Sequence, residues 1–67
     1  MTNKSAAQIF KHARINAGLT QKELSKKSSV HWNTIAKIER GIQEPKSETI
    51  EKLAKVLGLK SSDIYSF

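Results

Sequence analysis

Apolar residues recur along the chain at steps of three and four, and no stretch sustains an alternation of apolar and polar residues. Such steps place apolar side chains on one side of a helix, so the pattern predicts an all-α fold. Gly18, Gly41 and Gly58 follow apolar segments and mark predicted helix ends, because glycine readily adopts the left-handed conformation found there. We predict a compact bundle of five short helices, forming a single domain over residues 1–67.

The predicted helices begin at residues suited to capping a helix N-terminus. Ser5 and Thr20 each open a capping box, in which a hydroxyl and a glutamine or glutamate three residues later satisfy the first backbone N–H groups. Ser47 is the predicted cap of the fourth helix. The predicted helices cover about 5–17, 20–27, 32–40 and 47–57, and a last turn or two begins at Ser61 or Ser62.

The second and third predicted helices have the arrangement of a helix-turn-helix unit over about residues 20–41. Large apolar residues in this unit, Leu24, Val30, Ile35 and Ile38, are spaced so that one side of each helix is buried. We expect the other side of the third helix to face outward. The residues on that side are Trp32, Asn33, Ala36, Lys37 and Arg40. Such a helix fits a DNA major groove, which is about 12 Å wide.

Basic residues outnumber acidic ones, and the excess is unevenly placed. Twelve Lys and Arg against six Asp and Glu give a net charge of +6. Residues 1–46 hold nine basic and three acidic side chains, whereas residues 47–67 hold three of each. A one-sided positive charge favours an anionic partner, most often nucleic acid. A lysine-rich solubilising surface would give the same count, so charge alone leaves both readings open.

The composition argues against several other classes of protein. A chain of 67 residues without cysteine has no thiol nucleophile, disulfide or thiolate zinc site, and little room for a large catalytic pocket. His12 and His31 lack further ligands at metal-binding spacing, and no acids form an evident catalytic pair, so we expect no enzyme, no metal and no cofactor. No apolar run approaches the roughly 20 residues that span a bilayer. We therefore expect a soluble cytoplasmic protein without a membrane partner. Binding to nucleic acid would associate it with the nucleoid.

Several short motifs are spread over about residues 9–65 at a characteristic separation. They are Gly18-Leu19-Thr20-Gln21, Leu24, Val30, Thr34-Ile35, Ile38-Glu39-Arg40-Gly41, Pro45 and Leu53-Ala54-Lys55-Val56-Leu57-Gly58. With these motifs the chain resembles the lambda-repressor-like, or XRE-type, helix-turn-helix family. The resemblance implies a five-helix domain of a transcriptional regulator, repressor-like in function. Its implied partners are double-stranded operator DNA and a second copy of itself in a two-fold dimer.

The resemblance also implies roles for individual residues. Those matching base-contacting positions are Trp32, Asn33 and Lys37. Asparagine is chemically suited to adenine and lysine to guanine. Those matching backbone-contacting positions are Gln21, Arg40, Gln43 and Lys46. Contacts of this second kind position a protein on DNA without specifying sequence. Arg14 and Glu39 match a structural ion pair that ties the first helix to the end of the third.

Three residues of the predicted turn depart from the family pattern. Ser29 stands where glycine is usual, and a side chain in the left-handed conformation costs about 1 kcal/mol. Ser28 is polar where the family is usually apolar, and His31 occupies the cap position of the third helix, where serine is usual and histidine caps poorly. We therefore expect the geometry of this turn, which leads into the third helix, to differ from the family pattern.

Two alternative functions stay open on the sequence. One is an antitoxin or restriction-modification controller with the same fold. The other is a protein-interaction module that has lost its DNA contacts and uses Trp32 as an apolar anchor; equally, Trp32 could pack over the helix crossing. The surface for dimerisation is expected in the C-terminal region, around Leu59, Tyr65 and Phe67.

Overall fold

A computed structural model of the protein describes residues 6–60. Over that range the chain forms four α-helices, α1 (Ala6–Asn16), α2 (Gln21–Ser28), α3 (Trp32–Glu39) and α4 (Ser47–Leu57), and no strand. The predicted all-α fold is confirmed. The predicted cap Ser5 and the predicted fifth helix at Ser61 or Ser62 lie outside the described residues.

Side chains from all four helices and from the turn between α2 and α3 share one hydrophobic core. The side chains in this core are Phe10, Leu24, Val30, Ile35, Ile38, Ile50 and Leu53. Helix α3 packs against α1 and α2, and α4 packs against the same two helices. Because helices as short as α2 and α3 are not stable alone, this shared burial is what holds them in place.

The predicted capping box at the start of α2 is present. The Thr20 hydroxyl accepts a hydrogen bond from the Glu23 N–H at 3.0 Å, and the Thr20 N–H donates to the Glu23 carboxylate at 2.8 Å. Hydrogen bonding to the ionised carboxylate holds the pKa of Glu23 below its ordinary value. The Thr20 backbone N–H makes the larger contribution, and the Thr20 side chain makes the next largest. The ionised carboxylate is the form that accepts, so its stabilising effect is lost as the pH falls through that lowered pKa.

Helix α4 has a different cap from the predicted one. Lys46 is the N-cap, with an extended backbone and no side-chain capping hydrogen bond, and its carbonyl accepts from the Ile50 N–H at 2.9 Å. Ser47 is therefore the first helical residue, and the prediction that it caps α4 is wrong. The burial of Ile50 and Leu53 sets the register of this helix, and it outweighs the local preference of serine for the cap.

Ser29 ends α2 in the left-handed conformation, with φ 62° and ψ 21°, and its N–H donates to the Ser25 carbonyl at 2.9 Å. Among the described residues it is the one non-glycine with positive φ. Since a Cβ atom is disfavoured there, Ser29→Gly is expected to raise the free energy of unfolding by about 1 kcal/mol. Urea unfolding followed by circular dichroism measures the change.

Ser25→Gly is the matched control, because Ser25 lies inside α2, where glycine costs roughly 0.5 to 1 kcal/mol. The two substitutions should shift stability in opposite directions. If Ser29→Gly destabilised the protein as much as Ser25→Gly, the left-handed turn would be absent in solution.

Candidate nucleic-acid interface

Helix α3 has one buried side and one exposed side. Ile35 and Ile38 are each 1% exposed and anchor the helix in the core. Trp32, Asn33 and Lys37 are exposed, and Trp32 retains 44% of its accessible surface. The three candidate base-contacting residues therefore lie together on solvent-exposed positions of one short, well-anchored helix.

Ala36 does not lie on the exposed side as predicted, since it is only 9% exposed. Its methyl group ends close to the backbone, and α3 is flanked by both α1 and α2. A short side chain at the border of the apolar stripe is then covered by its neighbours, whereas the longer Lys37 extends into solvent. The exposed side of α3 is therefore narrower than predicted.

The loop after α3 is tied back to the end of that helix by its own backbone. Gly41 has φ +75°, a conformation that favours glycine, and it lets the chain reverse. The N–H groups of Ile42 and Gln43 then donate to the Lys37 carbonyl at 3.0 and 3.3 Å. The Ile42 bond, together with that from the Gly41 N–H to the Ile38 carbonyl at 3.0 Å, forms a Schellman-type helix end. With the Gln43 bond, it fixes the exposed Arg40 and Gln43 beside the last turn of α3.

The remaining candidate backbone-contacting residue in this loop is Lys46, which is exposed as the N-cap of α4. The exposed side chains of Arg40, Gln43 and Lys46 thus follow one another from the end of α3 to the start of α4. Two of them are cationic, and the third carries amide donors, so all three can donate hydrogen bonds to phosphate oxygens.

His31 caps the start of α3 through its side chain. Its Nδ1 accepts a hydrogen bond from the Asn33 N–H at 3.0 Å, and its own φ of −58° and ψ of 138° lie outside helical geometry. The expectation that histidine serves poorly here is wrong, because an imidazole lone pair takes the place of the usual hydroxyl. The sequence does place a histidine at the cap position, but general cap preferences favour serine, threonine, aspartate and asparagine over histidine.

The His31 imidazole also belongs to an exposed cluster with Trp32 and Lys22, which the sequence did not predict. The His31 and Trp32 rings stack with centroids 5.7 Å apart and an interplanar angle of 27°. The Lys22 ammonium lies 5.8 Å from the Trp32 ring centroid, at cation–π distance. Trp32 is therefore held against α2 and the cap, while nearly half of its surface remains open to solvent.

A hydrogen-bond network joins α1, α2 and α3 beneath this surface. Arg14 Nε and Nη2 donate to the two oxygens of Glu39 at 2.7 and 3.0 Å, and Arg14 Nη1 donates to the Leu19 carbonyl at 2.8 Å. The side chains of Arg14 and Glu39 are only 13% and 4% exposed. The hydrogen bond to Glu39 raises the pKa of Arg14 above its ordinary value, so the guanidinium stays charged.

Gln21 also belongs to this network, which sequence reasoning assigned only to Arg14 and Glu39. Its Nε2 donates to Glu39 Oε1 at 3.0 Å, and the side chain is half-buried. One amide hydrogen is thereby committed to Glu39. The other amide hydrogen of Gln21 and the backbone N–H groups of Gln21 and Lys22, which have no partner within the helix, are the donors that this end of α2 offers to an anion. The Glu23 N–H is already bonded to the Thr20 hydroxyl.

The buried hydroxyl of Ser28, the last residue of α2, has a hydrogen-bond partner in the turn that follows. Ser28 is buried, and its Oγ accepts from the Val30 N–H at 3.2 Å. This internal hydrogen bond explains how a polar residue stands where the family is usually apolar.

Elsewhere on the described surface, Ile15 and Ile42 are large apolar side chains with 54% and 69% of their surface exposed. Leu59, part of the predicted dimer surface, is half-buried against the core, while Tyr65 and Phe67 lie outside the described residues. In residues 6–60 no cluster of His, Asp and Glu is suited to a metal ion. None of the helices in that range is long and apolar enough to cross a membrane.

Comparison with known proteins agrees with this architecture. A family model described as Helix-turn-helix matches residues 10–64. The cryptic phage CTXphi transcriptional repressor RstR of Vibrio cholerae is 40% identical over 53 residues, which are 79% of this chain and 48% of the repressor. An uncharacterized helix-turn-helix transcriptional regulator of Methanocaldococcus jannaschii is 39% identical over 58 residues, which are 87% of this chain and 88% of that protein.

A further uncharacterized regulator of the same type, from Archaeoglobus fulgidus, is 35% identical over 54 residues, which cover 81% of this chain and 77% of the relative. The chain thus spans about half the length of the phage repressor and most of each archaeal relative. No solved structure gives a significant match. The chain belongs to the XRE-type helix-turn-helix family of DNA-binding transcriptional regulators.

Proposed function

We propose that this protein binds a specific double-stranded DNA operator with the exposed side of α3 in the major groove, and thereby represses transcription. Trp32, Asn33 and Lys37 would contact base edges. The observation that carries the proposal is the burial pattern of α3, in which Ile35 and Ile38 are buried while all three of these residues are exposed. A helix anchored in this way presents its polar side without any rearrangement of the fold.

The surroundings of α3 supply the contacts that position such a protein on DNA. Arg40, Gln43 and Lys46 follow the helix, and the first turn of α2 precedes it at Gln21. These donors would bind phosphates on either side of the groove. DNA binding of this kind requires no metal, cofactor or catalytic group. A protein bound to an operator would lie at the nucleoid, in the cytoplasm.

We further propose that the protein binds as a two-fold homodimer. The α3 helices of two copies would then enter successive major grooves about 34 to 36 Å apart, on a palindromic site. The C-terminal region around Leu59, Tyr65 and Phe67 is the proposed contact between copies. Sedimentation of a monomer at high concentration, both free and on DNA, would overturn this part.

Selection of binding sites from random duplex DNA tests the proposal. We expect an inverted repeat whose half-sites are centred about 10 base pairs apart. Recovery of sequences with no shared motif would contradict specific recognition. Recovery of a shared motif without two-fold symmetry would support specific DNA binding but contradict binding as a two-fold dimer.

Salt dependence separates DNA binding from a protein-interaction module anchored by Trp32. Binding to the selected duplex should give a steep, linear fall of log K with log salt concentration, because phosphate neutralisation releases counterions. Arg40→Ala should reduce that slope by about one. Binding through an apolar protein interface would respond only weakly to salt. A slope that Arg40→Ala leaves unchanged would show that Arg40 does not contact a phosphate.

A further inference from the structure

We propose that Trp32 is a specificity-determining residue: its indole, held by His31 and Lys22, packs against the 5-methyl group of a thymine in the major groove. The inference rests on the proposed function and deepens it, because it names the chemical group that one residue of α3 selects. It also makes Lys22, a residue of α2, a positioning residue for recognition.

Trp32 is a large apolar side chain in a polar setting. It keeps 44% of its accessible surface, and exposed polar residues accompany it, namely Lys22 on α2 and Asn33 and Lys37 on α3. An apolar surface among cations suits a ligand that carries both apolar groups and negative charge. Double-stranded DNA has both, because its phosphates flank a major groove in which the thymine methyl is the apolar group.

Two contacts restrict the orientation of the indole before any DNA is bound. The His31 ring stacks on it with centroids 5.7 Å apart, and the Lys22 ammonium lies 5.8 Å from the Trp32 ring centroid. An indole has only two side-chain torsions, so few contacts are enough to order it. Because little entropy then remains to be lost on binding, the ring can gain affinity from a contact as small as one methyl group.

The chemistry of the indole limits what Trp32 can distinguish. Its N–H is a single donor, and every base pair presents at least one acceptor in the major groove. A hydrogen bond from this N–H would therefore discriminate poorly. The remainder of the ring is apolar, and the thymine methyl is present in A·T pairs but absent from G·C pairs. Contact with that methyl group is thus the interaction through which Trp32 best selects a base.

Replacement of thymine by uracil tests the inference, because uracil lacks only the methyl group and keeps every hydrogen-bonding group of thymine. Each thymine of the selected duplex is replaced in turn, and the affinity of the wild-type protein is measured by fluorescence anisotropy at one salt concentration. We expect replacement at one thymine of the motif to weaken binding about fourfold, the effect of exposing one methyl group.

Trp32→Ala shows whether this residue makes the contact. The variant should bind the duplex equally well with thymine or uracil at the sensitive position. Ile15→Ala is the matched control, because Ile15 is an apolar side chain of α1 with 54% of its surface exposed, and this variant should keep the fourfold preference. If Trp32→Ala kept the full preference, another residue would contact the methyl group and the inference would be overturned.

A second base analogue separates the methyl group from the rest of thymine. Cytosine at the sensitive position, paired with guanine, changes the hydrogen-bonding groups and removes the methyl group, whereas 5-methylcytosine restores the methyl group alone. The wild type should bind the 5-methylcytosine duplex about fourfold more tightly than the cytosine duplex, and Trp32→Ala should not distinguish the two. Equal binding of both duplexes by the wild type would contradict the inference.

Two substitutions of Lys22 test whether its cation positions the ring. Lys22→Gln should reduce the preference for thymine over uracil, whereas Lys22→Arg should preserve it, because a guanidinium also lies favourably over an aromatic face. In the free wild-type protein, ring currents should shift the Lys22 methylene protons beside the ammonium upfield. Unshifted protons, or a preference that Lys22→Gln leaves intact, would overturn the role of Lys22.

A shared motif that is bound equally well with thymine and with uracil at every position would overturn the inference and leave operator binding intact. A shared motif without thymine would do the same. If selection gave no shared motif, the proposed function would fail, and the inference would fail with it.

Discussion

Arg14→Ala is expected to lower the free energy of unfolding by about 3 to 5 kcal/mol, the cost of leaving a buried charge without its partner. The Glu39 carboxylate is 4% exposed and would lose two of its three described hydrogen bonds, retaining only that from Gln21. The Leu19 carbonyl would also lose its donor. Since domains of this size have only a few kcal/mol of stability, most of the protein should be unfolded at room temperature.

Thermal unfolding followed by circular dichroism measures this effect, with Lys11→Ala as the matched control. Lys11 is an exposed cation on α1, so its loss should change stability by no more than about 0.5 kcal/mol. In the double variant Arg14→Met and Glu39→Met no buried charge is left unpaired, and much of the lost stability should return. A wild-type transition for Arg14→Ala would show that the ion pair does not hold α1 to α3.

Lys37→Ala is expected to weaken operator binding by about 1 to 3 kcal/mol and to relax the preference at one base position. The Lys37 side chain is exposed, and among the described residues it makes no hydrogen bond or ion pair. The substitution should therefore leave the thermal transition almost unchanged. Titration of the selected duplex and of single-base variants, followed by fluorescence anisotropy, measures the affinity and locates the relaxed position.

Lys52→Ala is the matched control for this substitution. Lys52 is also an exposed lysine, but it lies on α4, where it is not expected to reach the bases. The variant should bind the operator nearly as well as the wild type and keep the same base preferences. Equal losses for the two substitutions would mean that the protein attracts DNA only through its diffuse positive charge.

Several features set by neighbouring residues were predictable from the sequence, although the cap of α4 was not. The capping box of Thr20 and Glu23 lies within one helical turn, and Gly41 and Gly58 terminate α3 and α4 as predicted. The core residues Leu24, Ile35 and Ile38 follow from their spacing. In each case the deciding interaction acts over a few residues or repeats along a helix, so a local pattern contains the necessary information.

Features that depend on contacts between helices were harder to predict from the sequence. Arg14 and Glu39 lie 25 positions apart, and only the family resemblance suggested pairing them. The participation of Gln21 follows from the close approach of α2 and α3, which spacing along the chain does not show. Ala36 was misplaced for a related reason, because its burial depends on the helices flanking α3 as well as on its position in the apolar stripe.

The start of α3 shows how general preferences fail at a particular site. Average cap preferences disfavour His31, yet its ring both accepts from the Asn33 N–H and stacks on Trp32. The contact of Lys22 with the Trp32 ring required the relative placement of α2 and α3. The residues proposed to read DNA were identified from the sequence, whereas the contacts that support Trp32 and Asn33 needed the structure.

Intermolecular nuclear Overhauser effects on the complex with the selected duplex test most directly whether α3 reads bases. We expect contacts from the side chains of Trp32, Asn33 and Lys37 to protons on the major-groove edges, including thymine methyl and cytosine amino groups. Contacts confined to sugar protons, or contacts to base edges made from α4 while α3 shows none, would contradict the proposed role of α3.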